Sequence, residues 1–262
     1  MAQGTEEFME IGGCRLRIMR GGEGPTMLFL HGAGGAPVWT PFMQNLSERF
    51  HLVVPEHPGF GGSDTPSWLT SVSDLAYFYL DFIAVLGLEP VHLVGNSLGG
   101  WIALEIAIRD AARLRTLSLI SPGGLFLDGY PAGNVFSWSA EEFARNVFVS
   151  ADFAASYASQ LAMMDARLLG KNNATLAKIA RSPLLCNPQL APWLHRIKRP
   201  TLILWGDQDK VFPVSHAAAL GKLIPNATIK IVSECGHLPH IEKRDVTVES
   251  IVGFLETQSR AA

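Results

Sequence analysis

Ser97 sits in Gly95-Asn96-Ser97-Leu98-Gly99, directly after the apolar run VHLVGN and at the start of an amphipathic stretch. A strand, a sharp turn and a helix in that order lift a serine Oγ above a sheet edge, where it can attack a carbonyl. The flanking glycines suit that turn, because a Cβ there would collide with the strand or helix crossing close by. Serine is a weak nucleophile at its own pKa and needs a general base in hydrogen-bond reach, held in turn by a third group. Downstream, the run TLILW is followed by Gly206-Asp207-Gln208-Asp209, and the run TIKIVS leads to Cys235-Gly236-His237. The order Ser, Asp, His therefore holds, with Asp207 and Asp209 both open as the acid and His237 ahead of His240 as the base. The tetrahedral intermediate of acyl transfer needs donors, and the N–H of Leu98, at a helix N-terminus, is expected to be one. His51, His57, His92, His195 and His216 are given no role.

These residues have to be carried by a particular alternation of elements. Strands are expected at Phe8 to Ile11, Arg15 to Arg20, Thr26 to Gly32, His51 to Glu56, Val91 to Asn96, Leu114 to Ser121, Thr201 to Asp207 and Thr228 to Ser233. The first two, joined by Gly12-Gly13, read as an antiparallel hairpin at a sheet edge; the inner runs are continuously apolar, as strands covered on both faces are. Helices are expected at Val38 to Ser47, Val72 to Leu86, Leu98 to Arg109, Val214 to Leu223 and Asp245 to Thr257. The fold class is therefore α/β, an eight-stranded, mostly parallel sheet with right-handed crossovers and helices on both faces. Ser97, the Asp pair and His237 all follow strand C-terminal ends, the edge where such sheets place their sites.

Between about Gly124 and Leu190 the alternation stops: no strand-like run occurs, and the stretch AEEFARNVFVSADFAASYASQLAMMDARLL is helical in pattern. Residues 1–123 and 191–262 are thus expected to form the core, with 124–190 a helical cap or lid. Its apolar surplus is Phe143, Phe148, Phe153, Tyr157, Leu161, Met163, Met164 and Leu168. That surplus serves either to pack on the core or to line an apolar pocket.

Composition narrows the function classes. With 262 residues, 48% hydrophobic and 17% charged, the chain suits one packed domain with an insertion. A formal charge of −3 gives no footprint for nucleic acid. Cys14, Cys186 and Cys235 are odd in number and far apart, so they are expected as reduced thiols. No dinucleotide fingerprint, P-loop or metal-ligand spacing occurs, so neither cofactor nor metal is expected. The acidic N-terminus lacks a leader pattern and no stretch approaches about 18 apolar residues. A cytoplasmic monomer or homodimer that does not engage a membrane is the expectation.

The chain resembles the α/β-hydrolase superfamily, in particular its lid-bearing members. The matching pieces are His31-Gly32-Ala33-Gly34-Gly35, Pro58-Gly59-Phe60-Gly61-Gly62-Ser63-Asp64, Gly95-Asn96-Ser97-Leu98-Gly99-Gly100, Trp205-Gly206-Asp207-Gln208-Asp209 and Gly236-His237. The resemblance implies Asp209 as the acid, since the family's acid usually closes G-x-x-D, and leaves Asp207 as a turn residue. It also implies the Ala33 N–H as the second oxyanion donor, with His31 bracing the loop. A serine in place of aspartate departs from the dehalogenases and epoxide hydrolases and implies a carboxylesterase acting on a small apolar ester. The alternative is a C–C bond hydrolase of a vinylogous diketone, which Asn96 and Ser121-Pro122-Gly123-Gly124 resemble; Leu238 after the histidine departs from that group. Its substrate carboxylate would need a lid arginine, for which Arg167 is the candidate. Perhydrolase, lactonase and a non-catalytic small-ligand binder on the same fold are further alternatives. Trp39 and Phe212 are expected to wall the acyl pocket.

Overall fold

The structure, a computed structural model, describes residues 4–261. Its strands are β1 (Thr5–Ile11), β2 (Cys14–Gly21), β3 (Thr26–Leu30), β4 (His51–Pro55), β5 (Val91–Asn96), β6 (Leu114–Ile120), β7 (Gly124–Leu125), β8 (Cys186–Asn187), β9 (Thr201–Gly206) and β10 (Ala227–Val232). The α-helices are α1 (Pro41–Ser47), α2 (Val72–Val85), α3 (Leu98–Arg109), α4 (Ala140–Val147), α5 (Ala151–Met163), α6 (Ala166–Ala180), α7 (Ser215–Leu223), α8 (Pro239–Glu242) and α9 (Arg244–Ala261).

Gly12 and Gly13 take φ of +57° and +69°, the mirror-image turn that matches strand twist, so β1 and β2 pair antiparallel from Ile11↔Cys14 outward. The eight-stranded sheet runs β1-β2-β4-β3-β5-β6-β9-β10 and is parallel from β4 onward. The period of two along each inner strand divides the core. Leu28, Leu30, Ile203 and Trp205 face Tyr79 and Phe82 of α2 and Leu104 of α3. Their neighbours Met27, Phe29, Leu202 and Leu204 join Phe42 and Leu46 of α1 and Ile251 and Leu255 of α9. Helices therefore cover both faces, and β5 and β9 are buried along their whole length.

Helix starts are written in the chain. Thr40 caps α1 ahead of Pro41, and the Ser71/Asp74 and Ser139/Glu142 boxes cap α2 and α4. The cap at Thr40 starts α1 three residues later than the apolar period suggests, leaving Val38 and Trp39 in the loop. Residues 124–190 correct one expectation: the segment does contain strands. β7 and β8 pair in parallel, Gly124↔Cys186 and Leu125↔Asn187, and close its neck. Asn187 Nδ2 donates to Glu105 of α3 over 2.8 Å, fixing that neck to the core. Two-residue strands carry too few side chains for a readable period.

Two further attachments hold α4 to α6 over the sheet's C-terminal edge. The buried Glu242 carboxylate accepts from the N–H groups of Val149, Ser150 and Gly236, each over 2.7 Å, and the His237 N–H donates to Val147 O over 2.8 Å. On the other side Asn172 of α6 is fully enclosed; its Nδ2 donates to Gly34 O and its Oδ1 accepts from Gly61 N. Thr175 Oγ1 adds a 2.6 Å bond to Gly59 O. The three cysteines are unpaired, with Cys14 and Cys235 buried and Cys186 partly so. Among the described residues no helix is long and apolar enough to cross a membrane.

Candidate active site

Ser97 occupies the turn between β5 and α3 with φ +52° and ψ −111°. A non-glycine residue there is strained by about 1–3 kcal/mol, and the surroundings hold it: Ser97 N–H donates to Ile120 O, while Ser97 O accepts from Gly123 and Trp101. The need for glycine on both sides is metrical. A Cβ on Gly99 would lie 2.0 Å from the Leu30 carbonyl oxygen, and one on Gly95 would lie 2.4 Å from that of Gly99.

His237 joins the turn to the acid. Its Nε2 lies 2.9 Å from Ser97 Oγ and its Nδ1 2.8 Å from Asp209 Oδ2. The other carboxylate oxygen, Oδ1, accepts from the N–H groups of Val211 and Phe212 at 2.8 and 2.9 Å. Asp209 is therefore clamped by backbone on one oxygen and presents the second to the imidazole. Because a carboxylate only accepts, Nδ1 carries the proton and Nε2 offers its lone pair to the serine hydroxyl. Asp207 points elsewhere, accepting from Cys235 N and tying the acid loop to the histidine loop.

The glycine loop after β3 is braced by stacked histidines. His31 Nδ1–H donates to Gly32 O over 2.6 Å while its Nε2 accepts from His57 N–H over 2.9 Å. His57 in turn donates from Nε2 to His31 O and accepts the Tyr79 hydroxyl at Nδ1. Burial pushes both imidazoles below their usual range and the Tyr79 phenol well above its own, so the array stays neutral. Glu56 adds bonds to Ala36 N and Gly62 N and faces Arg17. Ala33 and Leu98 both line the cavity at Ser97; the Leu98 N–H belongs to the first turn of α3, whose donors have no intrahelical acceptor.

That cavity is about 240 Å³, walled by Phe212 and Leu238 beside His237 and by Phe143, Tyr157, Leu161 and Met164 from residues 124–190. Among the described residues no Lys, Arg, Asp or Glu lines it. Asn96 reaches it too, with Nδ2 donating to Ile120 O so that the side chain ties β5 to β6. Two expected pocket residues are corrected. Trp39 does not reach the cavity at Ser97: its ring covers Gly21, its Nε1 donates to Gln44, and it walls a neighbouring chamber. Val38 and Thr40, on either side of it, line the cavity instead. Arg167 is 92% exposed at the start of α6 and faces Asp165 at 3.5 Å, because the Asp165 cap turns that first helical turn to solvent. Thr40, Gln160, Asn172 and Glu242 also bear on the site but stand in no sequence motif; only Thr40 carries a local signal, its helix-capping position.

Comparison with known proteins shows the family of the chain. The chain is 30% identical over 254 residues to the dihydrolipoyllysine-residue acetyltransferase component of the acetoin cleaving system of Cupriavidus necator, covering 92% of this chain and 67% of that protein. It is 30% identical over 267 residues to 2-hydroxy-6-oxo-6-phenylhexa-2,4-dienoate hydrolase of Comamonas testosteroni, covering 89% and 88%. The crystal structure of a membrane phospholipase A superposes with a TM-score of 0.82 at 27% identity, covering 98% of this chain and 87% of that one. The model of the alpha/beta hydrolase family matches residues 27–250, from the strand before the glycine loop to the last helix, and the chain belongs to that family.

Proposed function

We propose that the protein is a serine hydrolase of small carboxylic esters with an uncharged, apolar acyl group, working through an acyl-enzyme. The observation that carries this reading is the unbroken chain Ser97 Oγ, His237, Asp209 at the floor of a cavity without ionised walls. His237 Nε2 takes the Ser97 proton as Oγ attacks the carbonyl carbon, and Asp209 holds the imidazole in the tautomer this requires. The oxygen that gains charge is met by the amides of Ala33 and Leu98, the second reinforced by the α3 dipole; one such donor contributes about 2.7–4 kcal/mol. The imidazolium then protonates the leaving alcohol, and a water activated by His237 releases the acid. Residues 124–190 act as a lid, with Tyr157, Leu161 and Met164 keeping bulk water from the reacting atoms.

The C–C hydrolase reading has support from the Comamonas relative, whose name denotes a carboxylate substrate. It is the weaker one here, since among the described residues no cation lines the cavity at Ser97, Arg167 faces solvent, and Lys243 and Arg244 line only the neighbouring chamber. Non-catalytic binding leaves the oriented Ser–His–Asp chain without a purpose. A panel pairing butyrate and succinate hemiesters of one alcohol, together with the dienoate, decides among these. The uncharged acyl ester is expected to lead in kcat/KM by more than about a hundredfold, since an unpaired buried carboxylate costs several kcal/mol. Equal turnover of the charged esters, or preferred turnover of the dienoate, contradicts the proposal.

A further inference from the structure

Beside the cavity at Ser97 lies a second chamber of about 670 Å³, walled by Trp39, Phe42, Phe148 and Phe153, with Lys243 and Arg244 also among its lining residues. The two spaces share Val38, Thr40, Tyr157, Gln160, His240 and Ile241, so His240 of α8 and Tyr157 of α5 stand at their junction. His240, unlike the buried imidazoles of His31, His57 and His237, makes no ring hydrogen bond. Its ring is held edge-on by Phe42, with centroids 5.4 Å apart, and neither ring nitrogen has a hydrogen-bond partner among the described residues. Nδ1 is fully enclosed, whereas Nε2, equally without a partner, keeps some exposure. Burial, then the neighbouring His237, push its pKa down to about 3, so the ring is neutral and carries one proton. An orphaned buried N–H is rarer than an orphaned acceptor, so that proton belongs on Nε2, the less enclosed nitrogen. The Tyr157 hydroxyl is likewise without a partner, and lies 3.4 Å from the Cβ position that Gly34 lacks.

The direction of the substrate follows from the reaction, and this step rests on the ester-hydrolase reading above. The leaving alcohol oxygen receives its proton from His237 Nε2, so the alcohol arm starts at His237. The wall then continues through Leu238, His240 and Ile241, the last two opening into the second chamber. We infer that this chamber is the alcohol subsite, and that His240 Nε2–H, with the Tyr157 hydroxyl, hydrogen-bonds a second oxygen on the leaving alcohol. The favoured substrates are accordingly esters of alcohols bearing a further hydroxyl or ether oxygen close to the ester, with an apolar acyl group.

A matched pair tests this: 2-hydroxyethyl butyrate and propyl butyrate, which differ by OH against CH₃ at the end of the alcohol. In a wholly apolar channel propyl wins, because a buried hydroxyl without a partner is penalised. The wild-type protein is expected to favour the hydroxyethyl ester by about tenfold in kcat/KM, mainly through KM. His240→Phe reverses the preference, whereas His240→Gln, whose amide N–H falls near the Nε2 position, keeps most of it. Tyr157→Phe lowers the ratio severalfold and serves should the first variant not fold, as judged by circular dichroism. A preference for propyl in the wild type, or a ratio unchanged in His240→Phe or in Tyr157→Phe, overturns the inference alone. No turnover of either ester, with Ser97 unlabelled by a fluorophosphonate, overturns the hydrolase reading and this one with it.

Discussion

Asp209 divides its two oxygens between the backbone amides of Val211 and Phe212 and the imidazole of His237. Asp209→Asn keeps the size and the backbone acceptor, but sets either an amide N–H or a weaker acceptor against His237 Nδ1. The imidazole then favours the tautomer that presents N–H to Ser97. The expected outcome is a fall in kcat of about 10⁴-fold with unchanged circular dichroism and a KM within about threefold. Near-normal kcat would shift the orienting role to Asp207. Residues of this kind were legible because each lies in a short motif whose neighbours dictate its backbone: Gly95 and Gly99 force the serine turn, and the strand before Gly206 delivers the acid. Trp39 and Arg167 were not, because nearness in the chain does not set which way a side chain points. One residue either side of Trp39, the loop does face the cavity.

Helix α6 is more than a cover. Asn172 bridges Gly34 of the glycine loop after β3 and Gly61 of the loop after β4, while Lys171 Nζ donates to Gly61 O and Ser63 O. Asn172→Ala leaves the buried Gly61 N–H and one Gly34 oxygen lone pair unpaired, a cost of about 1–3 kcal/mol per group. It also loosens the loop that carries the Ala33 amide. The expected result is a lower Tm together with a kcat reduced by about tenfold and little change in KM, since the amide acts on the transition state. A lower Tm with unchanged kcat would mean that the Gly35 N–H to Gly32 O turn and the histidine stack hold the loop unaided. The main strands and helices were readable in position to within a few residues, their apolar periods being long enough to register. The β7/β8 clasp and the Glu242 and Asn172 bridges were not, since they depend on partners 62, 92 and 111 residues away along the chain.

At the scale of the molecule, a sheet whose inner strands are buried on both faces sends β3, β5, β9 and the exposed edge strand β10 to one edge, and the loops after them carry Ala33, Ser97, Asp209 and His237. The alternation of apolar runs was enough to place that edge; the shape of the space above it was not, because residues 124–190 decide it by packing that no local pattern encodes. Phe143, Tyr157, Leu161 and Met164 of that segment turn inward, whereas Met163 is 80% exposed. The proposed mechanism requires the Ser97 oxygen to become covalently bound to the acyl group. Rapid quenching of the protein with a chromogenic butyrate ester, followed by peptide mass spectrometry, detects that bond. A butyryl group on the peptide holding Ser97, absent in Ser97→Ala and appearing with a burst of released alcohol, is the predicted result; steady hydrolysis with that peptide unmodified at every time point would contradict it.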